Sequence, residues 1–276
     1  MGKCKYCGKS AGLFRNEHKE CEAEHNLRVY GALNEVIAAI KGAKSFGALE
    51  KTLTEAEQSG LIKPGEQSAL LALGFSKVVE ELLENGTLKL EDDKRFLEFR
   101  EHFSLSDEIL NLGGALEKYV KMATLQEAME GKIPDRMRLD ECLPINFQKG
   151  EQIVWAFPNS KYYEDKTSRQ YIGGSHGASI RIMKGVYYRI GAFRGHAVDS
   201  VERIHVDTGW VVLTNKNIYF SGAHKSMRVP YSKIVSFEPY SDGIGIRRDA
   251  ATAKPQILVT GDGWFTYNLA INLSQI

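Results

Sequence analysis

Three of the chain's four cysteines and one of its histidines fall within the first 21 residues, in the order Cys4, Cys7, His18 and Cys21. Their spacing is C-x2-C-x10-H-x2-C. A C-x2-C pair followed by Gly8 has the form of a knuckle, a tight turn that aims both sulfurs at one point while glycine lets the backbone approach closely. His18 and Cys21 are three apart in a stretch, 16–25, that reads as a helix start, which puts both on one side. Thiolates and imidazoles are the ligands zinc prefers, and four of them close a tetrahedral shell with no position left for water. The predicted site is therefore structural: Zn2+ held by Cys4, Cys7, His18 and Cys21. His25 is an alternative ligand, because Cys21 and His25 make a C-x3-H ending. Glu17, Glu20, Glu22 and Glu24 offset the neighbouring lysines, which weighs against nucleic acid as the partner of this segment. Its expected role is to staple the N-terminus into a mini-domain or a protein contact.

Nucleophilic chemistry would have to come from Ser175, His176, His196, Asp199, His205 and Asp207. A nucleophile needs a base within hydrogen-bond reach and a third group to hold that base. No spacing among these residues provides this. The stretch "GGSHGAS" also lacks the Gly-Lys-Ser/Thr of a phosphate-binding loop and reads as a flexible loop. The expectation is a binding protein without catalytic residues, with Cys142 packed in the interior or an inert thiol.

The elements that must position these residues follow from composition and period. An apolar fraction of 43% over 276 residues is that of a globular chain able to bury a sizeable core. No apolar run of roughly 18 residues occurs, and the polar N-terminus does not read as a signal peptide, so a cytoplasmic protein is expected. The net charge of +1 hides an asymmetry: residues 26–150 hold 16 basic against 21 acidic side chains, and 151–276 hold 15 against 10. Opposite signs suggest separate domains and a C-terminal half open to acidic partners.

From Asn26 a helical period begins, with Val29, Leu33, Val36, Ile37 and Ile40 on one stripe, stopped near Gly42. Further helices are predicted near Glu66–Glu84, over Glu91–His102, from a Ser104/Asp107 capping pair, and from Ala115 to Gly131, with Pro134 beyond. Glu91, Asp92 and Asp93 suit a helix N-terminus. After Pro144 the signals are those of strands: Val154–Phe157, Ser179–Ile182, Val186–Ile190, a hairpin "GWVVLTNKNIYFSG" turning at Asn215-Lys216, a strand at Gln256–Thr260, and a terminal helix over Trp264–Leu273.

Three resemblances rest on these stretches. Residues 1–25 resemble the small treble-clef or zinc-ribbon-like fingers that precede other domains in bacterial proteins. The helical middle, with "EDDKRFLEF" and "LSDEIL", is faintly similar to the TerB-type helical fold. The segment "GWVVLTNKNIYFSG…MRVPYSKIVSFEPYSDGIGIRRD" resembles bacterial pleckstrin-homology and GRAM-like domains over roughly 150–276. That resemblance implies an antiparallel barrel capped by a C-terminal helix, and Ser175–His196 looks like an extension found in some members. Asn217 stands where the family often has Arg or Lys, and no dense basic cluster lies between the first two strands, which counts against lipid headgroups.

The combined expectation is an α+β chain with a finger over 1–25, a helical domain over 26–143 and a pleckstrin-homology-like barrel over 144–276. It would act as a cytoplasmic bacterial or prophage-type adaptor, with a peripheral place at the inner membrane face as a variant. The expected partner is a protein or peptide, or a second copy of the chain, with anionic lipid or nucleic acid as alternatives. Arg181, Lys184, Tyr187, Tyr188, Arg189 and Arg194 are the candidate surface, since aromatic and cationic residues suit binding hot spots.

Overall fold

The computed structural model describes residues 2–12, 15–63, 65–85, 88–139, 142–183, 186–250 and 254–276, with backbone alone at 85, 90, 166–183 and 186–201. The chain divides into two compact units, Met1–Gln126 and Glu127–Ile276. The architecture is mixed α+β.

The first unit opens with a two-stranded hairpin, β1 (Gly2–Lys3) and β2 (Ser10–Gly12), followed by α1 (Lys19–Ile40), α2 (Phe46–Gln58), α3 (Gln67–Asn85), α4 (Leu90–His102), α5 (Asp107–Leu110) and α6 (Ala115–Met129). α1 begins at Lys19, within the 16–25 stretch that reads as a helix start and seven residues before the apolar stripe sets in, with His18 as its N-cap. α2 was not expected. Its apolar stripe of Phe46, Leu49, Leu53 and Ala56 is fully helical in spacing, and the Ser45 side chain accepts the Ala48 N–H at its start. The expected cap at Ser104 is corrected to Ser106, whose hydroxyl accepts the Ile109 N–H. The reason lies in the end of α4. Ser104 adopts φ +50°, and Leu105 and Ser104 donate back to Arg100 O (3.0 Å) and Glu101 O (3.2 Å). That is a Schellman ending, so Ser104 closes one helix rather than opening the next. The acidic start of α4 behaves as expected of a helix N-terminus: the Asp92 carboxylate accepts the Lys89 N–H at 2.9 Å.

Val36, Ala39, Leu49, Leu53, Val79 and Phe99 form the innermost layer of the helical core. Arg95 ties its turns together, donating to Ala39 O (2.9 Å) and Lys44 O (2.7 Å) beyond the end of α1, with its guanidinium 3.7 Å over the Phe46 ring.

The second unit is a seven-stranded antiparallel sheet in the order β6-β5-β4-β3-β9-β8-β7, with α7 (Gly263–Leu273) after the last strand. The strands are β3 (Ile153–Met183), β4 (Val186–Thr214), β5 (Asn217–Gly222), β6 (Ser226–Pro230), β7 (Ile234–Pro239), β8 (Gly243–Arg248) and β9 (Gln256–Val259). Among the described residues β6 and β7 are edges and do not pair with each other, so the sheet is open. The separate short strands expected at Val154–Phe157, Ser179–Ile182 and Val186–Ile190 belong to one continuous pair. The ladder runs from Ile153↔Thr214 to Met183↔Val186. The stretch "GGSHGAS" lies inside β3, not in a loop: it pairs residue by residue with β4 from Gly173↔Gly195 to Ser179↔Arg189.

Both faces of the central strands are covered. Trp155, Phe157, Val211, Leu213, Ile218 and Phe220 share one face by register, and Phe265 of α7 packs on it 4.7 Å from the Trp155 ring. Ala156, Val212 and Tyr219 share the other face, which Met137, Leu139, Leu143, Ile145 and Phe147 cover. Burial on both sides explains why "VWAF" and "VVLT" read as continuous apolar runs rather than alternating ones.

Candidate metal centre

The N-terminal hairpin builds the first half of the site. Between β1 and β2 the chain turns through Cys4–Gly8, with the Gly8 N–H donating to Cys4 O and the Cys4 N–H to Lys9 O, both at 2.8 Å. Gly8 sits at φ +72°, a left-handed conformation that favours glycine. The second half comes from the start of α1, where His18 is the N-cap and Cys21 lies in the first turn. The Lys5 N–H donates to Asn16 O at 2.8 Å and holds the two halves together.

The Cys4, Cys7 and Cys21 sulfurs and one His18 ring nitrogen all lie within 4.8 Å of one another, close enough to bind a metal ion. His18 Nδ1 is 3.4 Å from Cys7 Sγ and 3.6 Å from Cys21 Sγ. Its Nε2 lies 2.9 Å from Ser10 O. A carbonyl only accepts, so Nε2 carries the proton and the Nδ1 lone pair faces the sulfurs. This is the outer-shell bond that orients a metal-ligating histidine. His25, the alternative ligand, is not in the cluster; its ring stacks on Tyr6 at 4.6 Å.

The electrostatics of the cluster call for a cation. Burial raises the Cys4 thiol, but N–H groups of Cys7, His18 and Tyr6 outweigh it and lower the group to about 6. Cys21 goes the other way, pushed up to about 11 by burial and by the neighbouring Cys7 and Cys4 sulfurs. His18 is raised, chiefly by the Ser10 carbonyl and then by Cys7. Thiolates this close repel one another unless a positive charge sits among them.

The residues weighed for catalysis are placed differently. Asp207 is a structural clamp: its carboxylate accepts N–H bonds from Thr208 (2.8 Å), His224 (2.6 Å) and Lys225 (2.8 Å), closing the β5–β6 turn. Those bonds, the His224 one largest, hold it below the usual carboxylate range against a smaller effect of burial. His205 reaches the Thr208 hydroxyl at 3.1 Å. The side chains of Ser175, His176, His196 and Asp199 lie outside the described residues, as do those of Arg181, Tyr187, Tyr188, Arg189 and Arg194 and the whole of Lys184. Cys142 is exposed.

Sequence reasoning missed two sites of polar convergence. One is Glu151, whose carboxylate accepts from Tyr219 Oη (2.5 Å), Thr214 Oγ1 (2.9 Å) and the Asn217 amide. Asn217, singled out as a departure from a basic position, is thus a buried part of this network. The other is a cleft lined by Glu164, Lys233, Arg248, Asp249, Ala250, Lys254 and Gln256. Its residues come from four separate segments, so no local motif announces it. Among the described residues no helix is long and apolar enough to cross a membrane. Comparison of the chain with family models, curated proteins and solved structures finds no match.

Proposed function

We propose that the protein is a non-catalytic adaptor, with a structural zinc finger, a helical domain of TerB-like character and a pleckstrin-homology/GRAM-like module that receives a protein or peptide partner in the cytoplasm. The zinc reading is carried by one observation, the spacing of sulfur and nitrogen. Zn–S bonds of about 2.3 Å and Zn–N bonds of about 2.0–2.1 Å in a tetrahedron place the two ligand atoms about 3.5–3.6 Å apart. The His18 distances of 3.4 and 3.6 Å fit that. Three thiolates and an imidazole favour zinc over magnesium or calcium, and they fill its shell. Metal analysis under reducing, chelator-free conditions should find one zinc per chain, and a metal-free protein would refute the site.

The module reading is supported by strand order. Seven antiparallel strands in two runs, β6-β5-β4-β3 and β9-β8-β7, with a terminal helix against one face, suit a barrel or near-barrel of this kind. The commitment of Asp207 to three backbone N–H groups supports a structural role at that position over a catalytic one. A second reading is favoured by where the charge lies. The whole basic surplus of 151–276 falls in 166–201, with Lys166, Arg169, Arg181, Lys184, Arg189 and Arg194 against Asp199. Such a segment suits an anionic surface, lipid or nucleic acid. Salt-sensitive sedimentation with anionic vesicles or a salt-sensitive gel shift tests it.

A further inference from the structure

The three sulfurs of the metal centre are not equivalent. Cys4 is only 2% exposed, and N–H groups of Cys7, His18 and Tyr6 bond to its sulfur. Cys21 is half-buried in the first turn of α1. Of the three, only Cys7 is exposed. A cysteine responds to oxidants when it is accessible and a second thiol stands ready to resolve the oxidised sulfur. Cys7 meets both conditions. The bond from the Gly8 N–H to Cys4 O encloses Cys4 and Cys7 in one turn, and their sulfurs lie within 4.8 Å of each other. Residues three apart in one turn lie less than about 7 Å apart at Cα, close to the span of a disulfide, about 4.4–6.8 Å.

The local structure depends on the centre. β1 and β2 have two and three residues. The buried residues of α1 begin at Ala32, so its turns from Lys19 to Gly31 add nothing to the helical core. A metal held by Cys4 and Cys7 on one side and by His18 and Cys21 on the other crosslinks the hairpin to that half of the helix.

We infer that Cys7 is a peroxide-reactive site and that the finger is a redox switch, opened by a Cys4–Cys7 disulfide. The inference rests on the zinc reading above and adds regulation to it. The Cys7 thiolate attacks the hydroxyl oxygen of a hydroperoxide, ROOH. An S–O bond forms, the O–O bond breaks, and the alkoxide leaves, taking a proton from water to become ROH. The Cys4 thiolate then attacks the Cys7 sulfenic acid. The S–S bond forms, the S–O bond breaks, and hydroxide leaves, taking a proton to become water. The two sulfurs together lose two electrons, and the peroxide gains them. Zinc keeps only His18 and Cys21 of its shell and is released, which frees the hairpin from the start of α1.

The test uses the zinc-loaded full chain and tert-butyl hydroperoxide. A chromogenic chelator reads metal release, and tryptic mapping reads the disulfide, since Lys5 separates Cys4 and Cys7 into different peptides. Oxidation should release one zinc per chain and join those two peptides, and dithiothreitol with added zinc should restore the loaded form. Cys142→Ser should release zinc at the parent's rate. Cys7→His keeps four ligands of the kinds zinc accepts and should hold its metal at the dose that empties the parent. The disulfide map of the parent decides independently of any variant. A parent that keeps its zinc at a dose that oxidises the exposed Cys142 thiol would overturn the switch and leave the zinc reading intact. A disulfide from Cys7 to Cys21, or none through Cys7, would overturn the assignment. Zinc missing before any oxidant is added would refute the metal reading itself, and the switch with it.

Discussion

Replacing Gly74 with alanine sets two well-defined effects against each other. Gly74 is buried in the interior of α3, where it faces α1. On helix propensity alone, alanine should stabilise α3 by about 1 kcal/mol. A Cβ at this position, however, would lie 2.3 Å from Val36 Cγ1 and 3.0 Å from Val36 Cβ. Carbon atoms pack at about 3.5–4.0 Å, so the helices must separate by more than an ångström or Val36 must leave its rotamer. Neither is easy: Val36 is fully buried, and a valine in a helix has essentially one χ1 well. Overpacking of this kind costs about 1–3 kcal/mol, so the net effect should run from near zero to a loss of about 2 kcal/mol. Val36→Ala alone should destabilise by about 2 kcal/mol through lost burial and cavity. Combined with Gly74→Ala it should cost at least about 1 kcal/mol less than the sum, because the new methyl occupies the vacated space. Urea unfolding followed at 222 nm reads the helices, while Trp155, Trp210 and Trp264, all in the second unit, supply a fluorescence reference that should not shift. A Gly74→Ala protein stabilised by the full propensity gain, or a strictly additive double variant, would refute the close approach of α1 and α3.

Three further outcomes follow from the same structure. On the zinc reading proposed above, Cys7→Ser should abolish metal binding and loosen the hairpin and the first turn of α1, seen as lost metal stoichiometry and faster amide exchange over residues 2–22, while the Trp fluorescence of the second unit stays unchanged. Asp207 and Glu151 are both held below the usual carboxylate range in the folded chain, so their contribution is present above the unfolded value near about 4 and is lost as pH falls through the lower folded value. Acid titration monitored by Trp fluorescence should therefore show the second unit weakening below about pH 4, and Asp207→Asn should flatten that dependence; an unchanged acid limb would count against the clamp. A fragment beginning at Glu127 should fold with a β-type circular dichroism spectrum, whereas one beginning at Pro144 loses Met137, Leu139 and Leu143 from the face of Ala156, Val212 and Tyr219 and should bind a hydrophobic dye.

Some of this was legible without coordinates because it is local. The clustering of Cys4, Cys7, His18 and Cys21 was, since C-x2-C with Gly8 and the His18/Cys21 pair are short-range geometry: a left-handed glycine makes the knuckle and one helical turn aligns the second pair. The choice of His18 over His25 was not local, because it depends on the Ser10 carbonyl across the hairpin and on the Tyr6 ring. Helices α3 and α4 and the β4–β5 hairpin were legible for the same reason, their period or turn residues lying within one element. The cap at Ser106 was misplaced because Ser104 and Ser106 are both capping residues, and only the Schellman bonds to Arg100 and Glu101 decide between them.

Tertiary structure alone decided what depends on partners distant in sequence. Periodicity shows that Val154–Phe157 and Val211–Thr214 are buried, but not that residues 137–147 cover one face and α7 the other. Glycines in "GGSHGAS" carry no side chain to signal a strand, so the continuous β3–β4 ladder emerges only from pairing across the hairpin. Asp207 reads as a candidate acid until the N–H groups of His224 and Lys225 are seen to consume its oxygens. The cleft of Lys233, Arg248, Lys254 and Gln256 has no sequence signature, because strand pairing brings its walls together from positions up to 92 residues apart, Glu164 to Gln256. Residue type and short spacing determine which groups are capable of chemistry; the long-range register of the sheet determines which of them meet.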